Sequence, residues 1–180
     1  MSELNKSIEE KKERVSIFID GSNLYNGLKR LNIKNLDFQK LINKLIKSRN
    51  FVNAFYYIAS LDITFNKTKY WKHQEFLNNL KKIPKFNVVL CTLRKIVKKG
   101  EKPRFEIKGD DIHLAVDLIS GAHENLFDTA IIVSGDEDFV PVINKVRCLG
   151  KRVENAYFTG SSSAALKKRS NLSICLNKIV

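Results

Sequence analysis

The chain alternates between short apolar runs and longer segments in which apolar residues recur every three or four positions. The short runs are typical of strands, and the wider spacing is typical of amphipathic helices. The pattern predicts strands at 15–19, 52–59, 86–93, 129–133 and 152–158, and helices at 22–31, 41–46, 64–83, 110–123 and 142–149, with a final helix within 161–180. Two β-like stretches, 94–97 and 104–107, flank a lysine-rich turn and predict a basic hairpin.

This order of strands and helices predicts an α/β fold in which a mostly parallel sheet carries helices on both faces. We expect one domain over residues 15–160, a charged N-terminal tail at 1–14, and a C-terminal segment at 161–180 that packs on the domain as a helix. Ligands of such sheets bind beyond the carboxyl ends of the strands. Residues that follow strands are therefore the first candidates for chemistry.

Acidic residues directly follow two of the predicted strands. Asp20 ends the first strand, with the amide of Asn23 close by, and Ser134 precedes Asp136 and Asp138 after a later strand. Carboxylate and amide oxygens at such turns can hold a hard cation. Helix capping is the alternative: it explains Asn23 as well as a functional contact does, it explains Asp138, and it explains Asp136 less readily.

A pair of acids opens the helix that follows the hairpin. Asp111 shares a helical face with apolar residues such as Leu114, whereas Asp110 shares one with His113 and Asp117. We therefore expect Asp111 to face the sheet at its carboxyl edge as a metal ligand, and Asp110 to be solvated or to interact favourably with the dipole at the helix N-terminus. His113 and Asp117 have the i, i+4 spacing of metal ligands, but a polar helix face explains them better. Asp117 is kept as a residue that supports the ligands.

Composition adds a basic surround to these acids. The 180 residues contain 32 Lys and Arg against 19 Asp and Glu, a net charge of +13, which favours a polyanionic partner, although a lysine-rich composition alone gives the same excess. The candidates for phosphate contacts are the basic residues of the hairpin and its flanks: Arg94, Lys95, Lys98, Lys99, Lys102, Arg104 and Lys108. Tyr25, Trp71 and Phe139 could stack on bases, but burial in the core is the commoner role of aromatic residues.

Several other classes of protein are disfavoured. The three cysteines are far apart and show no CxxC spacing, so neither a zinc site nor a disulfide framework is indicated. No apolar stretch is long enough to span a bilayer, and the first residues lack the apolar core of a signal peptide, so we expect a cytoplasmic protein. The sequence contains no P-loop and no Ser-His-Asp or Cys-His nucleophile pattern. Whether the chain forms a homodimer is left open.

Carboxylates crowded at one edge of a sheet repel one another unless a cation neutralises them. Because the predicted ligands are all oxygen atoms, Mg²⁺ or Mn²⁺ is the expected occupant. Such ions activate water for attack on a phosphodiester, so a metal-dependent hydrolase of nucleic acid is the leading interpretation. A non-catalytic RNA-binding or regulatory module is the first alternative. A phosphatase that uses Asp20 as a nucleophile is weaker, because that class normally carries an Asp where Ser22 stands.

Four motifs occur in a fixed order along the chain. They are IFIDGSNL at 17–24, KGDDIHLAVD at 108–117, DTAIIVSGDEDF at 128–139 and GKRV at 150–153. As a set they resemble the NYN domain, specifically its LabA-like branch, within the PIN-like nuclease superfamily. The resemblance extends over residues 15–158.

This resemblance implies a Rossmann-like, three-layer α/β/α PIN-like fold, an acidic Mg²⁺ or Mn²⁺ site, and ribonuclease activity on RNA, for which we expect single strands. By position, the strand-one acid of the family falls on Asp20, the acid of its Lys-Gly-x-Asp motif on Asp111, and its last two acids on Asp136 and Asp138. The expected catalytic residues are Asp20, Asn23, Asp111 and Asp136, the expected metal ligands are Asp20, Asp111, Asp136 and Asp138, and the expected supporting residues are Asp117 and Ser134.

Overall fold

The computed structural model describes residues 12–64, 66–96 and 104–180. In these ranges the strands are β1 (Arg14–Asp20), β2 (Asn50–Ala59), β3 (Phe86–Ile96), β4 (Arg104–Lys108), β5 (Thr129–Val133), β6 (Arg152–Tyr157) and β7 (Leu172–Cys175). The helices are α1 (Gly21–Arg30), α2 (Phe38–Ile46), α3 (Lys67–Leu80), α4 (Asp110–His123), α5 (Val140–Cys148) and α6 (Ala164–Arg169). Short 3-10 turns cover Glu137–Phe139 and Leu176–Lys178. Within these ranges, every helix is too short or too polar to cross a membrane.

The strands form one sheet in the order β4-β3-β2-β1-β5-β6-β7. Neighbouring strands are parallel except β3 and β4, so the prediction of a mostly parallel sheet is confirmed. From β1, the next strands β2 and β3 are added on one side of the sheet. The chain then crosses back through α4, and β5, β6 and β7 are added on the other side of β1. This reversal lies between β1 and β5. In open α/β sheets, ligands bind at the carboxyl edge beside such a reversal.

Helices cover both faces of the sheet. In β1, Ile17 and Ile19 belong to an apolar cluster that includes residues of α1, α2 and α3, whereas Phe18 belongs to a second cluster with residues of α4, α5 and α6. Every residue of β5 is buried, as is nearly every residue of β1. The continuous apolar runs in these central strands are explained by this coverage on both sides.

The predicted hairpin is confirmed in the part of it that the structure describes. β3 and β4 pair antiparallel, from Thr92 with Lys108 to Ile96 with Arg104. Its two strands extend beyond the parallel sheet and bring the chain back to the carboxyl edge, where α4 begins. Three of the predicted phosphate-binding residues lie outside the described residues: Lys98, Lys99 and Lys102.

The C-terminal segment differs from the single helix that we predicted. α6 ends at Arg169, and β7 then pairs parallel with β6. Leu172, Ile174 and Leu176 alternate with more polar residues, and Leu176 is fully buried. This period of two is that of a strand, so the predicted helix is present as α6 but is followed by a strand that was not predicted. The segment extends the sheet.

Ion pairs anchor the amino edge of the sheet, opposite the strand-end acids. The guanidinium of Arg49 contacts both carboxylate oxygens of Glu154, at 2.8 and 3.0 Å, and Glu154 is only 3% exposed. Arg14 contacts Asp128 at 2.8 Å and lowers the pKa of that carboxyl to about 2. These contacts fix the starts of the strands whose other ends carry the acids.

Candidate metal and nucleic-acid site

Asp20 is the last residue of β1 and the N-cap of α1, and it is 6% exposed. Its Oδ1 accepts a hydrogen bond from the backbone N–H of Asn23 at 2.9 Å. Asn23 was a candidate for the cap of α1, but the side chain of Asp20 caps this helix. The side chain of Asn23 is therefore available for another role. Gly21 allows the chain to pass close to β2, because a Cβ there would lie 2.4 Å from the carbonyl oxygen of Tyr57.

Ser134 joins the two acidic strand ends. Its buried hydroxyl donates to Oδ2 of Asp20 at 2.9 Å and accepts from the backbone N–H of Asp136 at 3.1 Å. Oδ1 of Asp136 accepts from the N–H of Asp138 at 3.1 Å and caps the 3-10 turn. Capping therefore belongs to Asp136 and not to Asp138, the reverse of the expectation. Ser134 links the acids of β1 and β5 through hydrogen bonds.

The acids of α4 reach the same edge because β4 returns to it. Gly109 follows Lys108 with φ of 89°, a left-handed conformation that favours glycine, and turns the chain into α4. Asp110 and Asp111 are then the first two residues of the helix. At this end, the helix dipole favours negative charge.

The carboxylates of these three segments act on one another. Burial raises the pKa of Asp20, and the charges of Asp110 and Asp136 add to the rise, against two hydrogen bonds that lower it. Partial burial raises the pKa of Asp111 to about 6, with further contributions from the carboxylates of Asp110, Asp20, Asp136 and Asp138. Mutual repulsion of this kind requires that the acids of β1, β5 and α4 lie near one another.

Asp110 was expected to be solvated or to interact with the dipole at the helix N-terminus. It is the first residue of α4, but it is partly buried and its charge acts on Asp20, whereas Asp111 is the more exposed of the pair. The prediction assumed that α4 lies over the sheet from its first residue. Its first turn lies instead at the rim of the sheet, where both neighbouring side chains can reach the edge. Asp110 therefore joins Asp111 as a candidate ligand.

The donors of this cluster suit a hard divalent cation in kind, because they are carboxylate oxygens. Such a cation would also relieve their repulsion. Within residues 12–64, 66–96 and 104–180, no three Asp, Glu, His or Cys side chains are grouped closely enough to form a ready-made metal site. The carboxylates lie at one edge of the sheet, but no three side chains of the described residues converge on a single metal position.

Asp117 is anchored to the sheet by Tyr57. The hydroxyl of Tyr57 donates to Oδ2 of Asp117 at 2.9 Å, and Tyr57 lies opposite Asp20 in the register of β1 and β2. Burial raises the pKa of Tyr57, as do the charge of Asp117 and the bond to it, so the hydroxyl remains a donor. This contact holds one side chain of α4 against the centre of the sheet, next to the acidic edge.

Asn155 is a residue of this region that the sequence reasoning missed. It is fully buried in β6, and its Nδ2 donates to the backbone carbonyl of Ser134 at 2.7 Å. Its buried Oδ1 finds no hydrogen-bond partner in the described part of the chain. The signal that could have found it is the polar pair Glu154-Asn155 between the apolar residues Val153 and Ala156, since adjacent residues of a strand face opposite sides and both are buried here.

The predicted phosphate-binding residues that the structure describes lie along the hairpin. Nζ of Lys108 is 2.8 Å from Oε1 of Glu106, in an exposed ion pair. Arg94 is exposed and stands opposite Glu106 in the β3 and β4 register, while Lys95 and Arg104 lie further along the same two strands. Arg94 and Lys108 therefore place exposed basic side chains on the hairpin beside the edge that carries the acids, and Glu106 offsets part of their charge.

Two of the three aromatic residues that we assigned to the core are exposed. Tyr25 is 63% and Trp71 is 57% exposed, whereas Phe139 is buried. The core interpretation was therefore wrong for Tyr25 and Trp71. Both lie on the solvent side of their helices: Leu24 is among the residues that α1 buries, and Leu77 among those that α3 buries.

Comparison with known proteins agrees with this architecture. A crystal structure of a protein of unknown function from Vibrio parahaemolyticus matches with a TM-score of 0.70 and 24% identity, over 93% of this chain and 94% of that chain. At this identity the likeness shows the fold alone. A comparison with curated proteins finds no match. The NYN domain matches residues 14–177, including β7, and the chain therefore belongs to the NYN domain family, within the PIN-like nuclease superfamily.

Proposed function

We propose that this protein is a metal-dependent ribonuclease that hydrolyses RNA phosphodiester bonds at the carboxyl edge of the sheet. The observation that carries the proposal is the gathering of Asp20, Asp111 and Asp136, from three separate segments, beside the reversal between β1 and β5. Membership of the NYN family supports a nuclease-type function. The motif set favours the LabA-like branch of that family.

Asp20, Asp111, Asp136 and Asp138 would hold Mg²⁺ or Mn²⁺. A divalent cation bound there would activate a water for in-line attack on the phosphodiester and stabilise the leaving oxygen. The chain orients its own ligands: Ser134 bonds to the carboxylate of Asp20 and to the backbone of Asp136, so the loop that carries Asp136 is held beside Asp20.

Asn23 is the proposed substrate contact of α1. Its backbone N–H already holds one oxygen of Asp20. The side-chain amide is partly exposed one turn above the acid. From there it can donate to a phosphate oxygen and accept from the attacking water.

RNA is the proposed substrate because the surroundings of the acids are basic. The chain carries a net charge of +13, and the exposed residues Arg94 and Lys108 lie on the hairpin next to the acidic edge. Cations placed there would neutralise phosphates and release counterions, so binding should weaken as salt rises. A single strand is the expected form.

Two substitutions test the proposal. Asp20→Asn and Asp136→Asn should each abolish Mn²⁺-dependent cleavage of single-stranded RNA, because each removes a carboxylate from the site. Asparagine caps helices as well as aspartate does, so unfolding in urea should change little. Asp37→Asn is a matched control, because Asp37 caps α2 through an equivalent bond outside the acidic cluster. Cleavage at the wild-type rate by both Asp20→Asn and Asp136→Asn would refute the proposal.

A non-catalytic RNA-binding or regulatory module on the same edge is the second candidate function. In its favour, the acids of the described residues are not closed around one point. This function would be established by salt-sensitive binding of RNA without turnover in Mg²⁺ or Mn²⁺, at protein concentrations that saturate the RNA.

A further inference from the structure

We propose that the exposed face of α3 around Trp71 binds single-stranded RNA by stacking of its bases. The inference rests on the proposed function and extends the substrate surface beyond the acidic edge. The surface consists of Trp71, its neighbour Tyr70, and the lysines of the first two turns of α3: Lys67, Lys69 and Lys72.

α3 begins at the edge of the sheet that carries the acids. Nε2 of His73 lies 3.0 Å from the carbonyl oxygen of Ala59, the last residue of β2. Ala59 follows Tyr57 by two residues, and Tyr57 stands opposite Asp20. Strands advance about 3.3 Å per residue and lie about 4.8 Å apart, so the backbones of Ala59 and Asp20 are about 8 Å apart. Residues two apart lie on opposite sides of a helix, so Trp71 lies at the outer rim of this edge, on the side of α3 that faces solvent.

The chemistry of this rim suits unpaired bases. The ring of Tyr70 packs edge-on against Trp71, with centroids 5.2 Å apart and an interplanar angle of 77°, and so orients the indole while most of it stays in solvent. Lys67, one helical turn earlier, and Lys72, the next residue, are exposed and can contact phosphates. An aromatic platform among cations binds single strands with little dependence on sequence.

Tyr25 occupies a position on α1 that corresponds to the position of Trp71 on α3. Tyr25 and Trp71 are each the fifth residue of their helix, and α1 and α3 pack on the same face of the sheet. At 1.5 Å per residue, Tyr25 lies about 7.5 Å along the helix from Asp20. A single strand whose phosphate lies at the acids can thus meet an exposed aromatic ring on either helix.

The lysines favour RNA over a second copy of the chain as the occupant of this surface. In the first nine residues of α3 the exposed lysines Lys67, Lys69 and Lys72 outnumber the one acid, Glu75, so both copies in a symmetric dimer through Trp71 would carry net positive charge at the interface, which opposes association. A polyanion meets the same lysines with the opposite charge. The observations therefore favour a nucleic acid.

Trp71 is the single tryptophan of the chain, so its emission reports directly on this surface. The first test adds an oligouridylate of about 12 nucleotides, within the usual range of site sizes, to the wild-type protein in EDTA. The single strand should quench the emission in a saturable manner, and a duplex of equal length should quench it far less. If the anisotropy of labelled RNA shows binding while the emission of Trp71 is not quenched, the proposal is overturned.

Variants provide the second test, read by the anisotropy of labelled oligouridylate. Trp71→Ala should weaken binding about tenfold, and Trp71→Phe should restore most of the loss, because it keeps a ring. Lys67→Ala should reduce the slope of log affinity against log salt by about 0.7, as expected for one phosphate contact. Lys81→Ala, an exposed position at the other end of α3, should leave that slope unchanged.

The outcomes separate this inference from the proposed function. If Trp71→Ala binds RNA with wild-type affinity while the wild type cleaves RNA, only the inference fails. The inference also fails, alone, if the substitution changes the oligomeric state and leaves RNA affinity intact. If RNA quenches Trp71 and no divalent metal supports cleavage, the stacking surface stands and the proposed ribonuclease activity fails.

Discussion

Gly135 lies where the acidic edge meets the C-terminal segment, and Gly135→Ala should damage both stability and cleavage. A Cβ at this position would lie 1.6 Å from the carbonyl oxygen of Ser161 and 3.2 Å from Cα of Ser162. The carbonyl of Gly135 also accepts a hydrogen bond from the N–H of Ser163 at 3.0 Å. Both neighbours are backbone, so one segment must move by about 1.4 Å to restore even a 3.0 Å contact.

The cost follows from these contacts. Overpacking of a fitted site costs about 1–3 kcal/mol, and the loss of one backbone hydrogen bond costs about 1 kcal/mol. The free energy of unfolding should therefore fall by roughly 2–4 kcal/mol. The same movement displaces Asp136, the next residue, from its bond to Ser134. Metal-dependent cleavage should consequently fall even where the variant is fully folded.

Urea unfolding measures the stability, and cleavage of RNA below the transition measures the effect on the site. Gly160→Ala is the matched control: Gly160 has φ of 86° but no atom within 4 Å of an added Cβ, so only backbone strain of about 1–2 kcal/mol is expected. A loss of stability in Gly135→Ala no larger than that in Gly160→Ala, together with unchanged cleavage, would show that the close approach to Ser161 does not matter.

Polar groups outside the acidic cluster provide three further tests. Glu154→Gln should lower the free energy of unfolding in urea by about 2 kcal/mol, because the partly buried guanidinium of Arg49 loses its nearest carboxylate and keeps only Glu13, at 3.7 Å; a change below about 1 kcal/mol would contradict this. Asn155→Leu should change the free energy of unfolding little, because removal of the unpaired Oδ1 offsets the loss of the bond from Nδ2 to the carbonyl of Ser134, but it should slow cleavage, because that carbonyl is then no longer held; wild-type cleavage would contradict it. The pKa of Asp128 is lowered from 3.8 to about 2, so its ion pair stabilises the fold fully above pH 4 and less as pH falls through 2. Asp128→Asn should flatten this part of the pH profile of unfolding, by less than about 1 kcal/mol because the pair is partly exposed, and equal profiles would contradict it.

The strand-end acids could be predicted because their position follows from local pattern. Asp20 and Asp136 each follow a β-prone run, and parallel strands bring such ends to one edge. The partners of these acids could not be predicted in the same way. The hydroxyl of Ser134 bridges them and Asn155 supports it from β6, and both contacts depend on which strands become neighbours.

One source of the wrong predictions is that a helical pattern does not show where a helix begins relative to the sheet. Asp110 was set aside because α4 was taken to cover the sheet from its first residue, but its first turn lies at the rim. Trp71 and Tyr25 were assigned to the core because aromatic residues usually are, although both point away from the sheet. The strand β7 was missed because an alternation over three apolar positions is too short to outweigh the helical signal before it.

The proposed function depends on the binding of a divalent cation by acids from β1, α4 and β5 at one site. Crystals grown with Mn²⁺ test this binding directly through anomalous difference density. We expect Mn²⁺ density in contact with Asp20, Asp111 and Asp136, with the three carboxylates drawn together around it. Carboxylates that remain apart, with no Mn²⁺ at this edge under conditions that support RNA cleavage, would contradict a metal site formed by these acids.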